Sequence, residues 1–388
     1  MLDSALSDRS PEGVAILQVA RGLAQGFAAR AGAHDRAASF PHENFAELHR
    51  AGLLGLTVSR ADGGLGGGLA AACAVLQVVG AGCPSTALVL SMQYSHLHDA
   101  YIGGWPEELA HLVGRDAVAR GALVNTLRVE PALGTPSRGG IPATRARRTA
   151  QGWVISGRKS IGTGAPGLSW AVVWAGTEEA EPRMGAFLVP MTAPGITIEE
   201  TWDQMGLRAS GSHDVVFADT PIPAGYVIDL RPPAAFAGPA DEKACWAALI
   251  IAALYNGVAR AAGAWFGRFL HERVPTNLGA SLASLPRMQE AAGRIEGLLR
   301  GNERLIASLA ADCDAGRVPP SWESAVLKTD MAENAIRAVQ IAVEHCGNPG
   351  LARSNPLERH LRDVLCARIH FPQADTARLS AGRAALGV

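Results

Sequence analysis

The feature that most constrains this chain is a double change in its hydrophobic rhythm. Residues 11–118 place apolar side chains at helical spacing: Gly13–Ala29 is amphipathic, and Phe45, Leu48 and Leu53 mark one face of Phe40–Leu54. Near residue 120 the texture turns to short alternating runs bounded by Gly, Pro or charge clusters. These are Ala122–Leu127, Thr144–Thr149, Trp153–Ser156, Ser169–Ala175, Met184–Val189 and Asp214–Phe217. Arg231-Pro232-Pro233 and Gly238-Pro239 then make 229–243 read as a linker. Long helical stretches return at 241–273, 281–312, 321–346, 356–369 and 374–385. The order predicts an α+β multidomain chain: a helical domain over 1–119, a β domain over 120–230 and a second helical domain over 241–388.

Bulk properties exclude more than they assign. A formal net charge of −1 leaves no electrostatic footprint for nucleic acid or an anionic membrane. The apolar run Trp246–Tyr255 is about half the length of a bilayer-spanning helix, and Asp3, Asp8 and Arg9 interrupt the N-terminus, so no secretory signal is expected. Six scattered cysteines without a C-x-x-C pair point to reduced thiols in a cytoplasmic protein and to no metal site. Generic nucleotide motifs fail as well. The glycines at 63–68 end on Leu69 where G-x-G-x-x-G needs glycine, and Arg158 separates Gly157 from Lys159 in the nearest approach to a phosphate loop. Ser212-His213-Asp214 has triad residue types, but adjacent strand side chains face opposite ways.

Four ordered segments carry a resemblance. Trp202-Asp203-Gln204-Met205-Gly206-Leu207-Arg208-Ala209-Ser210 is similar to the W-x-x-M-G-x-R-A-S segment of the acyl-CoA dehydrogenase superfamily. Glu130-Pro131-Ala132-Leu133-Gly134-Thr135 resembles its E-P-x-A-G-S turn, and Gly157–Thr163 its G-x-K-x-W-I-T segment. Glu358-Arg359-His360-Leu361-Arg362-Asp363 resembles its E-R-x-x-R-D helix. The resemblance implies an N-terminal helical domain, a middle β-barrel or sandwich and a C-terminal four-helix bundle. It also implies a flavin, FAD with FMN as the alternative, in a homo-oligomer that is usually a tetramer.

Site residues carry over position by position. Gly134 lets backbone N–H groups approach a pyrophosphate, and the Thr135 hydroxyl adds a donor. Thr163 matches the threonine that meets flavin N5. Arg273 stands where the family's arginine reaches a neighbouring subunit's flavin. Gln289 resembles the glutamine of the following segment, and Gly347 belongs to the loop that also meets the partner's flavin. Val129 replaces the threonine before Glu-Pro. Glu358–Arg362 and Arg359–Asp363 read as structural i, i+4 ion pairs.

The family's catalytic glutamate is missing. Eight residues after Asp363 stands Phe371, and the alternative position on the first C-terminal helix is Ala247. His370, seven residues after Asp363, resembles instead the histidine of the flavin monooxygenase branch, where it handles protons. An imidazole suits that work near neutral pH; the competing reading makes His370 a helix C-cap before Pro372. Gln93, Tyr94, His96 and His98 fall where N-terminal helices wall the substrate pocket, with Phe371 as an apolar wall. Tyr94 and His98 can share a helix face, and one of the two histidines can equally be a satisfied core residue. The expected enzyme is an oxygen-using flavin oxidoreductase fed by a flavin reductase or another electron-transfer partner. The alternative acts on an acyl thioester, as a dehydrogenase with a non-standard base or as a desulfinase-like enzyme.

Overall fold

The computed structural model describes residues 11–132, 141–236 and 240–388. Helices α1 (Pro11–Ala37), α2 (His42–Arg50), α3 (Leu69–Gly82), α4 (Pro84–Asp99) and α5 (Glu107–Arg120) come first. Helix α3 is apolar nearly all round because it is wedged between neighbours. Gly80 lets it approach Leu254 so closely that an added Cβ would lie 2.6 Å from that carbonyl oxygen, and a Cβ on Gly82 would strike the Ala24 backbone. Pro84 opens α4 at its first turn, where no intrahelical N–H is needed. A π-helical turn at Ala100–Gly104 follows α4 and breaks at Gly103, φ +87°.

The strands are β1 (Leu123–Leu127), β2 (Arg145–Thr149), β3 (Gly152–Gly162), β4 (Leu168–Thr177), β5 (Met184–Pro190), β6 (Ile196–Glu199), β7 (His213–Pro223) and β8 (Val227–Arg231). They run in the order β6-β7-β3-β2-β4-β5-β8. The sheet forks at β4. Strand β5 pairs along one edge of β4, while β1 (at 168–173) and β2 (at 176–177) share the other, both parallel to it. Two strands escape the sequence pattern: β6, and β8, which lies at the start of the apparent linker and pairs with β5. One face of β1 and β4 buries Val124, Val172 and Trp170 against Leu97, Leu109 and Val113 of α4 and α5.

Helices resume with α6 (Asp241–Glu272), α7 (Pro286–Asp314), α8 (Ser321–Cys346), the short α9 (Asn348–Leu351), α10 (Leu357–Leu365) and α11 (Ala374–Leu386). Helices α6, α7, α8 and α10 pack together as a bundle. Helix α6 has the length and apolarity to cross a membrane, unlike the shorter run read from the sequence. Yet 78% of its apolar window is buried in the protein, which makes it a core helix. It packs against α3 as closely as against its own bundle: Asn256 Nδ2 donates to Gln77 Oε1 at 3.1 Å, and Gly257 admits the Gln77 backbone. Asp314, at the end of α7, accepts from the Leu69 and Ala70 N–H groups at 2.7 and 2.9 Å and so caps α3 from 245 and 244 residues away.

Two of the resembling segments prove to be one docking contact. Asp363 Oδ1 accepts the Leu207 N–H at 2.7 Å, and Arg362 donates to the Met205 carbonyl while bridging Asp35 and Glu358. Gly206 is required because a side chain there would collide with the Arg362 backbone. The Glu358–Arg362 pair forms as expected. The Arg359–Asp363 hydrogen-bonded pair does not: the Asp363 carboxylate turns to Leu207, and Arg359 Nε is buried with no partner among the described residues.

Candidate active site

Strand β3 sets the first wall of the site. Lys159, fully buried, meets the buried Glu130 at 2.6 Å, and Glu130 also accepts the Ala143 and Thr144 N–H groups. Burial alone would raise the Glu130 pKa, but bonds from Lys159 and Thr144 hold it below the ordinary carboxylate value. This pair locks the Glu130-Pro131 turn to β3, a physical reason for those two motif residues to occur together. Gly134 and Thr135, the expected pyrophosphate turn, lie outside the described residues. Just past the lock the chain is strained: Ile161 has φ +57° and is 53% exposed. A β-branched residue there is an outlier that ordinary turn chemistry does not need.

Thr163 follows at once. Ser212 Oγ donates to Thr163 Oγ1 at 3.1 Å, so the threonine hydroxyl keeps its own hydrogen for an acceptor outside the chain. An exposed apolar Ile161 beside an oriented hydroxyl donor fits an aromatic ring with a hydrogen-bond-accepting nitrogen, as a flavin has. Asn125 on β1 donates to the Thr163 carbonyl at 2.9 Å and accepts from His96 Nε2 at 3.0 Å. Thr126 Oγ1 lies 3.2 Å from His96 Nδ1. Since Asn125 Oδ1 can only accept, the network assigns the proton to Nε2 and makes Nδ1 the acceptor. Both ring nitrogens of His96 are engaged, and burial pushes its pKa down to about 4. His96 is a neutral positioning residue.

The other α4 residues singled out have partners away from Thr163. His98 stacks on Trp246 with centroids 3.8 Å apart and bonds Glu242 at 3.0 Å. Tyr94 donates to the Leu53 carbonyl at 2.8 Å. Gln93 donates to the Leu54 and Ala122 carbonyls and accepts the Val124 N–H. Tyr94 and Gln93 are both fully buried, so these side chains brace α4 against its neighbours; His96 is the one that reaches the Thr163 network.

The second wall expected of the site is the segment after α10. His370 Nε2 lies 2.7 Å from the hydroxyl of Tyr255, a wholly buried residue of α6. Lys328 on α8, also buried, donates to the carbonyls of His370 (2.6 Å) and Pro372 (3.2 Å). Burial, with the Lys328 cation adding to it, pushes the His370 pKa down to about 3; burial brings Lys328 down to about 8 and drives Tyr255 well above its usual value. A neutral imidazole accepting from the Tyr255 O–H leaves the proton on Nδ1. Among the described residues the ring hydrogen-bonds the Tyr255 hydroxyl rather than a helix carbonyl, which is not the contact of a C-cap. Phe371 is 42% exposed. Tyr255, Lys328 and Asn125 escaped the sequence reading. Lys328 had a signal: a cation on the apolar face of α8, one turn from Ala325, Met331 and Ala332.

Arg273, Gln289 and Gly347 sit exposed on the surface of the C-terminal bundle. Gln289 donates to the Ala283 carbonyl at 3.0 Å, and Gly347 turns the chain at φ +65°. His213 accepts the Trp202 N–H, a structural role that agrees with the exclusion of a triad. Among the described residues all cysteines are free, and no cluster of three or more His, Cys, Asp or Glu is placed to hold a metal.

Comparison with known proteins places this geometry. The N-terminal, middle and C-terminal domains of the acyl-CoA dehydrogenase family match residues 10–103, 130–220 and 249–373. The putative acyl-CoA dehydrogenase YdbM of Bacillus subtilis (strain 168) is 31% identical, with 92% of each chain covered. The amino sugar nitrososynthase RubN8 of Streptomyces rubradiris is 34% identical over 60% of this chain and 56% of its own length. The solved structure of KijD3 with FMN and dTDP-3-amino-2,3,6-trideoxy-4-keto-3-methyl-D-glucose superposes with a TM-score of 0.86 at 26% identity, covering 99% of this chain and 97% of that one. The chain belongs to the acyl-CoA dehydrogenase family and is a flavin-dependent oxidoreductase of that superfamily.

Proposed function

We propose that this chain is an oxygen-using flavin enzyme that acts on a small molecule and receives reduced flavin from a separate reductase. The observation that carries the reading is the second wall. Where the family's carboxylate is expected stands Phe371, and the groups held around it are an imidazole, a phenol and an ammonium. Removing an α-proton from an acyl thioester would convert His370 to an imidazolium, which both burial and Lys328 oppose. A neutral imidazole with its proton on Nδ1 suits hydrogen-bond donation to an oxygen. A bound flavin supplies the electron transfer and, once reduced, the reaction with dioxygen. The likeness to the amino sugar nitrososynthase RubN8, and to a KijD3 solved with FMN and a dTDP-sugar, supports this reading.

The Bacillus relative favours a second reading, an acyl-thioester enzyme with a non-standard base. One pair of assays separates them: oxygen uptake with a flavin reductase, and anaerobic bleaching of the bound flavin by an acyl-CoA panel. Bleaching without oxygen uptake removes the first reading. We take the flavin as FAD, whose pyrophosphate gives exposed Arg273 a partner across a homotetramer interface. Arg273→Ala then loses charge-assisted bonds of about 1.5–3 kcal/mol each. Undiminished flavin retention on dialysis, with an unchanged oligomer, rejects this role.

A further inference from the structure

We propose that Arg128, laid over Trp174, anchors an acceptor-only anionic group of the substrate, and that the enzyme selects small organic carboxylates. Arg128 follows the last residue of β1, and the strand's alternation carried one residue further puts it on the side of Thr126, about 7 Å away. Thr126 touches His96, and the Arg128 charge is close enough to disfavour protonation of His96. The guanidinium carbon lies 4.5 Å from the Trp174 ring centroid, and Phe236 meets Trp174 edge-on at 5.0 Å. Stacking fixes the plane of the fork without using its N–H groups.

Among the described residues Arg128 shows no hydrogen bond or ion pair, as is also true of exposed Arg147 and Arg287, whereas Arg115, Arg158, Arg183, Arg260, Arg362 and Arg368 each meet a carboxylate; what sets Arg128 apart is its seat on Trp174. The adjacent acid, Asp99, is engaged by Lys243 at 3.4 Å. The flanking segments 133–140 and 237–239 contain no Asp or Glu. Trp174 Nε1, buried beneath, also lacks an acceptor. Two neighbouring sets of unmatched donors call for a group that only accepts. The Arg128 side chain is exposed, so its guanidinium is accessible to a ligand from solvent.

This inference rests on the proposed function only in placing the substrate beside the flavin that Thr163 is expected to meet. The test titrates flavin-loaded enzyme with matched pairs, benzoate against benzamide and hexanoate against hexanamide, following the flavin difference spectrum. Phenyl phosphate tests phosphate as the source of the anion. In at least one pair the carboxylate should bind tenfold or more tighter than its amide. Arg128→Met should abolish that preference while retaining flavin, and Arg128→Lys should restore part of it. Equal binding in every pair, tighter binding of phenyl phosphate than of any carboxylate, or loss of flavin from Arg128→Met with carboxylate preference intact in Arg128→Lys overturns the assignment. If the preference holds but oxygen uptake fails, the subsite stands and the oxygenase reading falls.

Discussion

The two walls expected of the site are built on opposite principles. The β wall is a relay of neutral groups, His96 to Asn125 to Thr163 to Ser212, standing on a buried ion pair whose charges cancel. The helical wall rests on one uncancelled charge: Lys328 holds the His370 and Pro372 carbonyls, and no carboxylate bonds it. A sheet can supply rigidity through register, so its side chains need only orient. A loop after a nine-residue helix has no ladder to fix it and needs a buried donor to grip its backbone.

Substitutions can break or sharpen this contrast. The largest effect belongs to His370→Asn, which keeps a polar group beside Tyr255 but loses the imidazole. Turnover should fall by roughly 10²–10⁴-fold with flavin still bound; full activity across pH 6–9 would end the proton-handling role. Next is Lys159→Met, which strands Glu130 in the core and should cost about 3–5 kcal/mol, read as a lowered urea midpoint. A cost below 1 kcal/mol would mean the β wall does not depend on the pair.

Lys328→Met leaves two carbonyls unmet and should cost about 1–3 kcal/mol. Its pH dependence is sharper. Lys328 titrates near 8 in the folded protein and near its ordinary value of 10.5 when unfolded. Between those values the unfolded chain binds more protons, so the wild type should gain stability relative to Lys328→Met as pH rises from 8 to 10.5, with the full burial penalty present below 8. A flat difference across that window would show that Lys328 is not strained. The smallest effect is expected for Thr163→Val, about 0.5–1.5 kcal/mol or up to roughly tenfold in the rate of flavin reduction or reoxidation. An unchanged rate and flavin spectrum would disconnect Thr163 from the cofactor.

The helix–sheet–helix order was legible because each segment is long enough to show its period. Strand β6 was not: an edge strand of four residues with burial only at its ends carries no alternation. Strand β8 was hidden by the prolines after Arg231, which signal a break but not what precedes it. On α4, helical spacing separates His96 from His98 but cannot say which one meets Asn125 and Thr126, because β1, packed on that side, decides. Lys328 and Tyr255 are distant in sequence from His370, and only the bundle brings them to it.

Asp314 capping α3 bears on how the protein comes apart. The two ends of the chain share a single core through α3 and α6, so the strands are, in effect, a loop spliced into one helical body. Proteolysis inside that loop should leave both helical fragments bound to one another, whereas neither expressed alone should fold. The same topology makes this protein a natural substrate for fragment complementation: a split placed between β strands would be rejoined by an interface already dense enough to be a domain interior.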